Sequence, residues 1–281
     1  MKISIVTPSY NQGRFIEETI LSVKRQGYAP IEHIVMDGGS TDGTVEILRR
    51  YEHLIWFSEK DQGQTHAINK GLKLATGDVV TWLNSDDTYL DEALSTVAST
   101  FERFPEVDVV YGDYVITDES GNPLIHKKEI DFDWDILLCG LNYLGQPNVF
   151  FRRRVIEAVG YLDESLHYLM DYEYWFRLAR YGFAFKHIRT FVATCRWHAE
   201  AKTVSQSPKI RREFKTIQDK YWNRGRFENR FANLFYRKML NVQARAVRQW
   251  RKICLRHDCD IVPASFYLSW WKHRMGTSRK R

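Results

Sequence analysis

The first hundred residues alternate between short apolar, β-branched runs and segments with helical periodicity, and few architectures accept that rhythm. KISIVTP is an apolar run stopped by Pro8. IEHIVMDGG is a second, ending at Gly38-Gly39, LIWFSEKD a third and GDVVTWL a fourth. Between them RFIEETILSVKRQ, TVEILRRYE and QTHAINKGLKLA read as helices, and LDEALSTVASTFERF follows the fourth run. In the first of these, Phe15, Thr19 or Ile20, and Val23 share one helical face. Ser40 to Thr44 supply cap residues for the second, and Thr76-Gly77 closes the third. Strands separated by helices pair in parallel, so the expectation is an α/β fold with a mostly parallel central sheet and helices on both faces.

The rhythm changes after Pro105. VDVVYGDYVITDESGNPLIHKKEI reads as a hairpin turning at Ser120-Gly121-Asn122-Pro123. PNVFFRRRVIEAVG is a strand entering a helix, and DYEYWFRLARYG is a patterned helix with a glycine stop. FKHIRTFVATCRWH alternates as one or two strands. From about Pro208 onward the chain reads as helical and basic. Residues 206–281 hold 20 Lys and Arg against 5 Asp and Glu, whereas residues 1–205 hold 21 against 30. That shift predicts a domain over 1–205, with halves at about 1–105 and 106–205, and a basic, aromatic-rich helical extension over 206–281.

Ligands of open parallel sheets bind outside the carboxyl ends of the strands. Four consecutive strand ends here carry polar clusters: Thr7-Pro8-Ser9-Tyr10-Asn11, Asp37-Gly38-Gly39-Ser40-Thr41-Asp42, Glu59-Lys60-Asp61 and Asn84-Ser85-Asp86-Asp87. Adjacent carboxylates such as Asp86 and Asp87 repel each other. A hard cation, Mg²⁺ or Mn²⁺, would remove the repulsion, since such ions take one or two carboxylates plus substrate phosphates. Capping of the LDEALSTV helix by either aspartate is the plainer alternative. Asp37 could accept a nucleobase N–H, while Ser40, Thr41 and Asp42 suit a capped turn. The chain lacks the G-x-G-x-x-G order and the Walker lysine motif.

IVTPSYN, DGGSTDGT, DQGQTHAINKGLKLATGD and LNSDDTY, in this order, resemble family-2 glycosyltransferases, as does FFRRRVIEAVGYLDESLHYLMDYEYWFRLARYG further on. The resemblance covers roughly residues 2–200. It implies the GT-A fold, Rossmann-like, and a metal-dependent, inverting, single-displacement transfer of sugar from a nucleoside diphosphate sugar. Carried onto this chain, it implies that Thr7, Pro8 and Tyr10 line the nucleobase pocket and that Asp37 binds the base edge. Asp61 and Lys70 would lie near the nucleotide, and Asp86 would approach the ribose or sugar. Asp87 would ligate Mn²⁺ or Mg²⁺, with His198 of the Arg-x-His segment as a further metal or diphosphate ligand. Asp171 matches the position of the general base, with Glu173 second. Met170 departs from the family's more usual acid. Two residues apart on a helix, Asp171 and Glu173 should face different sides.

An aspartate against a base N–H fits uracil or thymine (UDP or dTDP) and leaves guanine (GDP) open. The expected acceptor is a glycan or lipid-linked hydroxyl in surface polysaccharide assembly. The competing readings are a sugar nucleotidyltransferase, for which PSYNQGRF is a poor triphosphate loop, and a non-catalytic nucleotide- or glycan-binding module. The aromatics of the basic tail (Phe227, Phe231, Phe235, Tyr236, Trp250 and FYLSWWKHRM) suit an anionic membrane surface or packing on the acidic domain better than nucleic acid. Met1-Lys2 runs straight into a strand and no apolar run is long enough to span a bilayer. The expectation is therefore a cytoplasmic chain, with membrane contact through the tail. Cys254, His257 and Cys259 carry only a faint metal-site spacing, and four scattered cysteines do not make a disulfide framework.

Overall fold

In the computed structural model, residues 1–139, 142–202, 208–221, 239–250 and 253 are described. They group into two compact units, one from residues 1–131 with 144–221 and the other from residues 132–143 with the described residues after 221. The helix over 208–221 groups with the large unit. Cys254, His257, Cys259, Phe227, Phe231, Phe235, Tyr236 and the FYLSWWKHRM run lie outside the described residues.

The large unit opens with β1 (Ile3–Ser9), α1 (Ile16–Lys24), β2 (Ile31–Asp37), α2 (Thr44–Leu48), β3 (Ile55–Ser58), α3 (Gln64–Leu74) and β4 (Val79–Trp82). Then come β5 (Thr88–Tyr89), α4 (Ala93–Arg103), β6 (Val109–Thr117) and β7 (Pro123–Lys127). In the small unit α5 (Trp134–Leu138) is capped by Asp133, whose Oδ1 accepts from Ile136 N at 2.9 Å. A helical stretch over 239–250 sets Leu240, Ala244 and Val247 around the same small cleft as Ile136. The large unit resumes with a 3₁₀ turn (Gln146–Asn148), β8 (Val149–Arg152), α6 (Arg154–Val159), α7 (Met170–Arg180), β9 (Phe185–Arg196) and α8 (Pro208–Tyr221).

The strands make one mixed sheet in the order β3-β2-β1-β4-β8-β6-β9-β5, with β7 paired to β6. β1 runs parallel to β2 and β4, and β2 to β3. β8 is antiparallel to both β4 and β6, and β6 is parallel to β9. Central β1 is buried at every position, as a parallel strand covered on both faces must be. β3 forms the sheet edge, and Ile55 and Phe57 are exposed there. α1 buries Ile16, Thr19, Ile20 and Val23, a single 3.6-period stripe, with Glu17 and Glu18 at its positive end and Lys24 at its negative end. Ile16 and Ile20 pack with Val35 and Leu48, while Ile3, Ile5, Val79, Leu94, Val97, Phe101, Val110 and Phe150 form the core of the other face. Gly71 allows α3 to approach β1: a Cβ there would stand 2.3 Å from Val6 Cγ1. Among the described residues no helix is long and apolar enough to cross a membrane.

Below the strand ends, one buried polar knot ties the sheet together. Glu32 on β2 accepts from Lys2 Nζ (2.7 Å), Ser4 Oγ (2.5 Å), Thr76 N (2.9 Å) and Thr76 Oγ1 (2.7 Å). Burial works to raise its carboxyl, but the bonds from Lys2, Ser4 and Thr76 outweigh it and hold the group at about 2.

Candidate active site

The carboxyl ends of β1, β2 and β4 open into one cavity of about 690 Å³. The loops after β1 and β2 are stitched to each other. Asn11 Oδ1 accepts from Thr41 N (2.9 Å), Asn11 N donates to Ser40 Oγ (2.7 Å), and Gly13 N donates to Asp42 Oδ2 (2.9 Å). Gly38 sits where these loops meet the third: a Cβ would lie 2.8 Å from Asp61 Oδ2 and 3.2 Å from the Tyr10 ring. A larger residue at this position would have to push that carboxylate aside.

Of the residues singled out in the sequence, Pro8, Tyr10, Asp61, Asp86, Asp87, Asp171 and His198 line this cavity. Four do not. Thr7 is buried and its hydroxyl bonds His33 Nε2 at 2.9 Å. Lys70 is ion-paired with Glu59. Asp37 is buried, and its carboxylate accepts from Gly39 N (3.1 Å), Ser40 N (2.9 Å), Ser40 Oγ (2.5 Å) and Ser58 Oγ (2.6 Å). It therefore holds the Gly38-Gly39 wall rather than facing the cavity. Glu173 is buried and bonded to Arg177 Nη2 (2.8 Å), Lys220 Nζ (2.7 Å) and Tyr221 Oη (2.6 Å). Burial alone would raise its carboxyl; Lys220 and Tyr221 bring it below the ordinary value. A carboxylate so engaged is no base for a substrate in the cavity.

Two-residue β5 explains the geometry of the aspartate pair. It pairs antiparallel with the end of β9, Thr88 opposite Thr194. One step further back along this ladder, Arg196 N donates to Asp87 Oδ1 (3.0 Å) and Arg196 Nε to the Asp86 carbonyl (3.0 Å). Asn84 Nδ2 donates to Asp87 Oδ2 at 3.2 Å and to Gln146 Oε1 at 2.8 Å, and Gln64 Nε2 donates to Asn84 Oδ1 at 2.7 Å. Neither aspartate caps the next helix: α4 starts at Ala93, after a cap residue Glu92 in the left-handed region at φ 60°. Asp87 is 3 % exposed, and burial first, then Asp86, pushes its carboxyl well above the usual range. The same burial raises the neighbouring Cys195 thiol. His198 Nε2 lies 3.0 Å from Asp86 Oδ2, and Arg14 Nη2 lies 3.4 Å from its Nδ1.

Asp171 occupies the first turn of α7, where its Oδ1 accepts from Tyr172 N at 2.7 Å. It keeps partial exposure to the cavity, yet the walls crowd it enough that burial, with a smaller contribution from Glu213, raises its carboxyl to about 6. The segment leading into α7 is held by α3. Asn69 Nδ2 donates to the Leu162 carbonyl (3.0 Å) and to Glu164 (2.8 Å), Asn69 Oδ1 accepts from Leu162 N (3.0 Å), and Thr65 Oγ1 donates to the Leu166 carbonyl (2.9 Å). Trp82 stacks on Trp175 at 5.5 Å; Trp175 is fully buried, and only Trp82 of the two touches the cavity. Gln146 lines the cavity, whereas buried Asp113 pairs with His187 Nε2 at 2.8 Å. Sequence reasoning passed over Asn84, Gln64 and Arg196 as individual residues, although each lies inside a stretch already singled out.

The carboxyl ends of this α/β sheet thus gather acidic residues around one cavity. A family model, glycosyl transferase family 2, matches residues 4–160, and the chain belongs to that family. An uncharacterized glycosyltransferase of Rickettsia typhi is 30 % identical over 191 residues, 63 % of this chain and 58 % of the relative. A PGL/p-HBAD biosynthesis glycosyltransferase of Mycobacterium bovis is 31 % identical over 177 residues, 61 % of this chain and 67 % of the relative. The chain thus spans 58 % of the length of its Rickettsia typhi relative. Among solved structures, S. aureus TarS 1-349 in complex with UDP-GlcNAc superposes with a TM-score of 0.66 at 19 % identity, over 87 % of this chain and 71 % of that one. A mannosyltransferase from Pyrobaculum calidifontis in complex with GDP-Man and Mn²⁺ superposes with a TM-score of 0.58 at 18 % identity, over 96 % and 79 %. The fold is GT-A.

Proposed function

We propose that this chain transfers a sugar, with inversion, from a nucleoside diphosphate sugar to a hydroxyl of a glycan or lipid-linked acceptor. The observation that carries the reading is one cavity lined both by a buried aspartate pair, Asp86-Asp87, and by a carboxylate of raised proton affinity, Asp171. Tyr10, the Gly38-Gly39 backbone and Asp61 receive the nucleoside. Solved relatives of the same fold carry UDP-GlcNAc in one case and GDP-Man in another, which supports UDP or GDP as the carrier.

The aspartate pair suits a divalent cation. Asp87 is buried, it accepts from the amides of Arg196 and Asn84, and its like-charged neighbour follows Asn84-Ser85 in the same turn. Among the described residues no three His, Cys, Asp or Glu side chains form a closed metal cage. Asp87 would hold Mn²⁺ or Mg²⁺, with Asp86 and His198 beside it, and the ion would offset charge on the leaving diphosphate. Asp171 takes the acceptor hydroxyl proton as the new glycosidic bond forms. A carboxyl at about 6 is mostly ionised at neutrality and a stronger base than an ordinary aspartate. The basic, aromatic tail over 206–281 supports contact with a membrane surface or lipid-linked acceptor, on its composition.

Calorimetric titration of UDP, dTDP and GDP, with Mn²⁺ and with EDTA, tests the donor site on wild type and Asp87→Ala. Metal-dependent binding of one diphosphate, lost in the variant, is the expected result. Binding of none, with or without metal, would overturn the assignment.

A further inference from the structure

α8 lies outside the stretch matched by the family model, yet it grips the helix that carries Asp171. Phe214 stacks on Tyr172 with centroids 5.8 Å apart, and Tyr221 stacks on Phe176 at 5.1 Å. Lys220 and Tyr221 bond buried Glu173. At the start of α7 stands Leu169, which has no side-chain group to cap a helix. Glu213 of α8 reaches this point instead. Its Oε1 accepts from His167 N (2.9 Å), and its Oε2 from Tyr168 N (3.0 Å) and Leu169 N (3.0 Å). The His167 carbonyl is taken by Lys202 Nζ at 3.1 Å. One carboxylate thus fixes three successive peptide groups immediately before Met170-Asp171, and Tyr168, Met170 and Asp171 all line the cavity.

We propose that Glu213 is a positioning residue. By gathering the N–H groups of His167, Tyr168 and Leu169 it sets where α7 begins, and so where the Asp171 carboxylate stands. This rests on the reading of Asp171 as the base. α8 keeps its ring stacks and its bonds to Glu173 when Glu213 is changed, so the helix should stay docked while the entry to α7 loosens. A base displaced by a fraction of an ångström loses rate while the donor, bound elsewhere in the cavity, keeps its affinity.

The test uses nucleotide release from UDP-GlcNAc and from GDP-mannose, with water as acceptor, on the full chain and on Glu213→Ala, Glu213→Gln and Asp171→Asn. Expected for Glu213→Ala is a fall in kcat of about tenfold or more, with KM for the donor within about twofold of wild type. Glu213→Gln, which keeps one acceptor oxygen, recovers part of the loss and serves where the alanine variant folds poorly. Full kcat in Glu213→Ala beside an inactive Asp171→Asn would overturn this inference and leave the base assignment standing. Full kcat in Asp171→Asn would overturn the base assignment, and the inference with it. An equal loss of donor affinity and kcat in Glu213→Ala would reduce Glu213 to general scaffolding and overturn the proposal. So would unchanged hydrogen-exchange protection at residues 167–169 in that variant.

Discussion

We propose that the cavity has a donor side, at the ends of β1, β2 and β4, and an acceptor side, at the entry to α7, and the two are built by different means. On the donor side, β1, β2 and β4 run parallel, β1 and β2 end level at Ser9 and Asp37, and the loops after these two bond to one another within a few residues. On the acceptor side, the segment 162–169 is not part of a strand. Side chains from α3 on one flank and α8 on the other hold it. A sheet ladder fixes position with many cooperative backbone bonds, whereas a clasped loop depends on a handful of side chains. Single substitutions should therefore move the acceptor side more than the donor side.

The largest expected effect is at Asp171. Asp171→Asn should lower kcat by roughly 10²–10⁴-fold with donor binding retained. In wild type, kcat/KM should fall on acidification with a midpoint near the carboxyl's value of about 6. The stability effect has the opposite sign. A folded-state carboxyl raised above its unfolded value of about 3.9 contributes fully below that value and loses its contribution as pH rises through about 6. The asparagine variant should thus gain in melting temperature over wild type between those pH values and hold the gain above them. Activity lost without that gain would point to general damage rather than to a removed base.

Next is the clasp. Asn69→Leu leaves the Leu162 N–H and carbonyl without their partner, at a cost of about 1–3 kcal/mol per buried orphan. Its kcat should fall while nucleotide binding persists. A variant that lost nucleotide affinity instead would break the division between the two sides.

The smallest effect is expected at Glu32, deep under the donor side. Glu32→Gln should cost about 1–3 kcal/mol at neutral pH and leave kcat unchanged. The depressed carboxyl stabilises the fold above its unfolded value of about 4.3, and that contribution is lost as pH falls toward about 2. Denaturant midpoints of the two proteins should therefore converge on acidification.

The same division decides what the sequence could reveal. β1 to β4 and their helices are legible because each is a local run of one periodicity, and Asp61, Asp86 and Asp87 because strand ends are where such a sheet exposes polar groups. β5 has only two residues and carries no period, although it brings Arg196 to the aspartates. Asp37 stood at the right place in the chain, but its carboxylate is turned into its own loop by Ser40 and Ser58, the latter on a neighbouring strand. Glu213 looks like any acid on a basic amphipathic helix. Its partners lie more than forty residues away, and only tertiary packing discloses them.

Buried Asp87 has a consequence for the life of the protein in a cell. A bare site that holds two crowded carboxylates detracts from stability, and a ligand that neutralises them restores it in proportion to its concentration. Proteases sample the unfolded fraction, so the steady amount of this protein should rise and fall with the supply of a divalent cation that pairs those carboxylates. Such an ion would then set how many molecules there are.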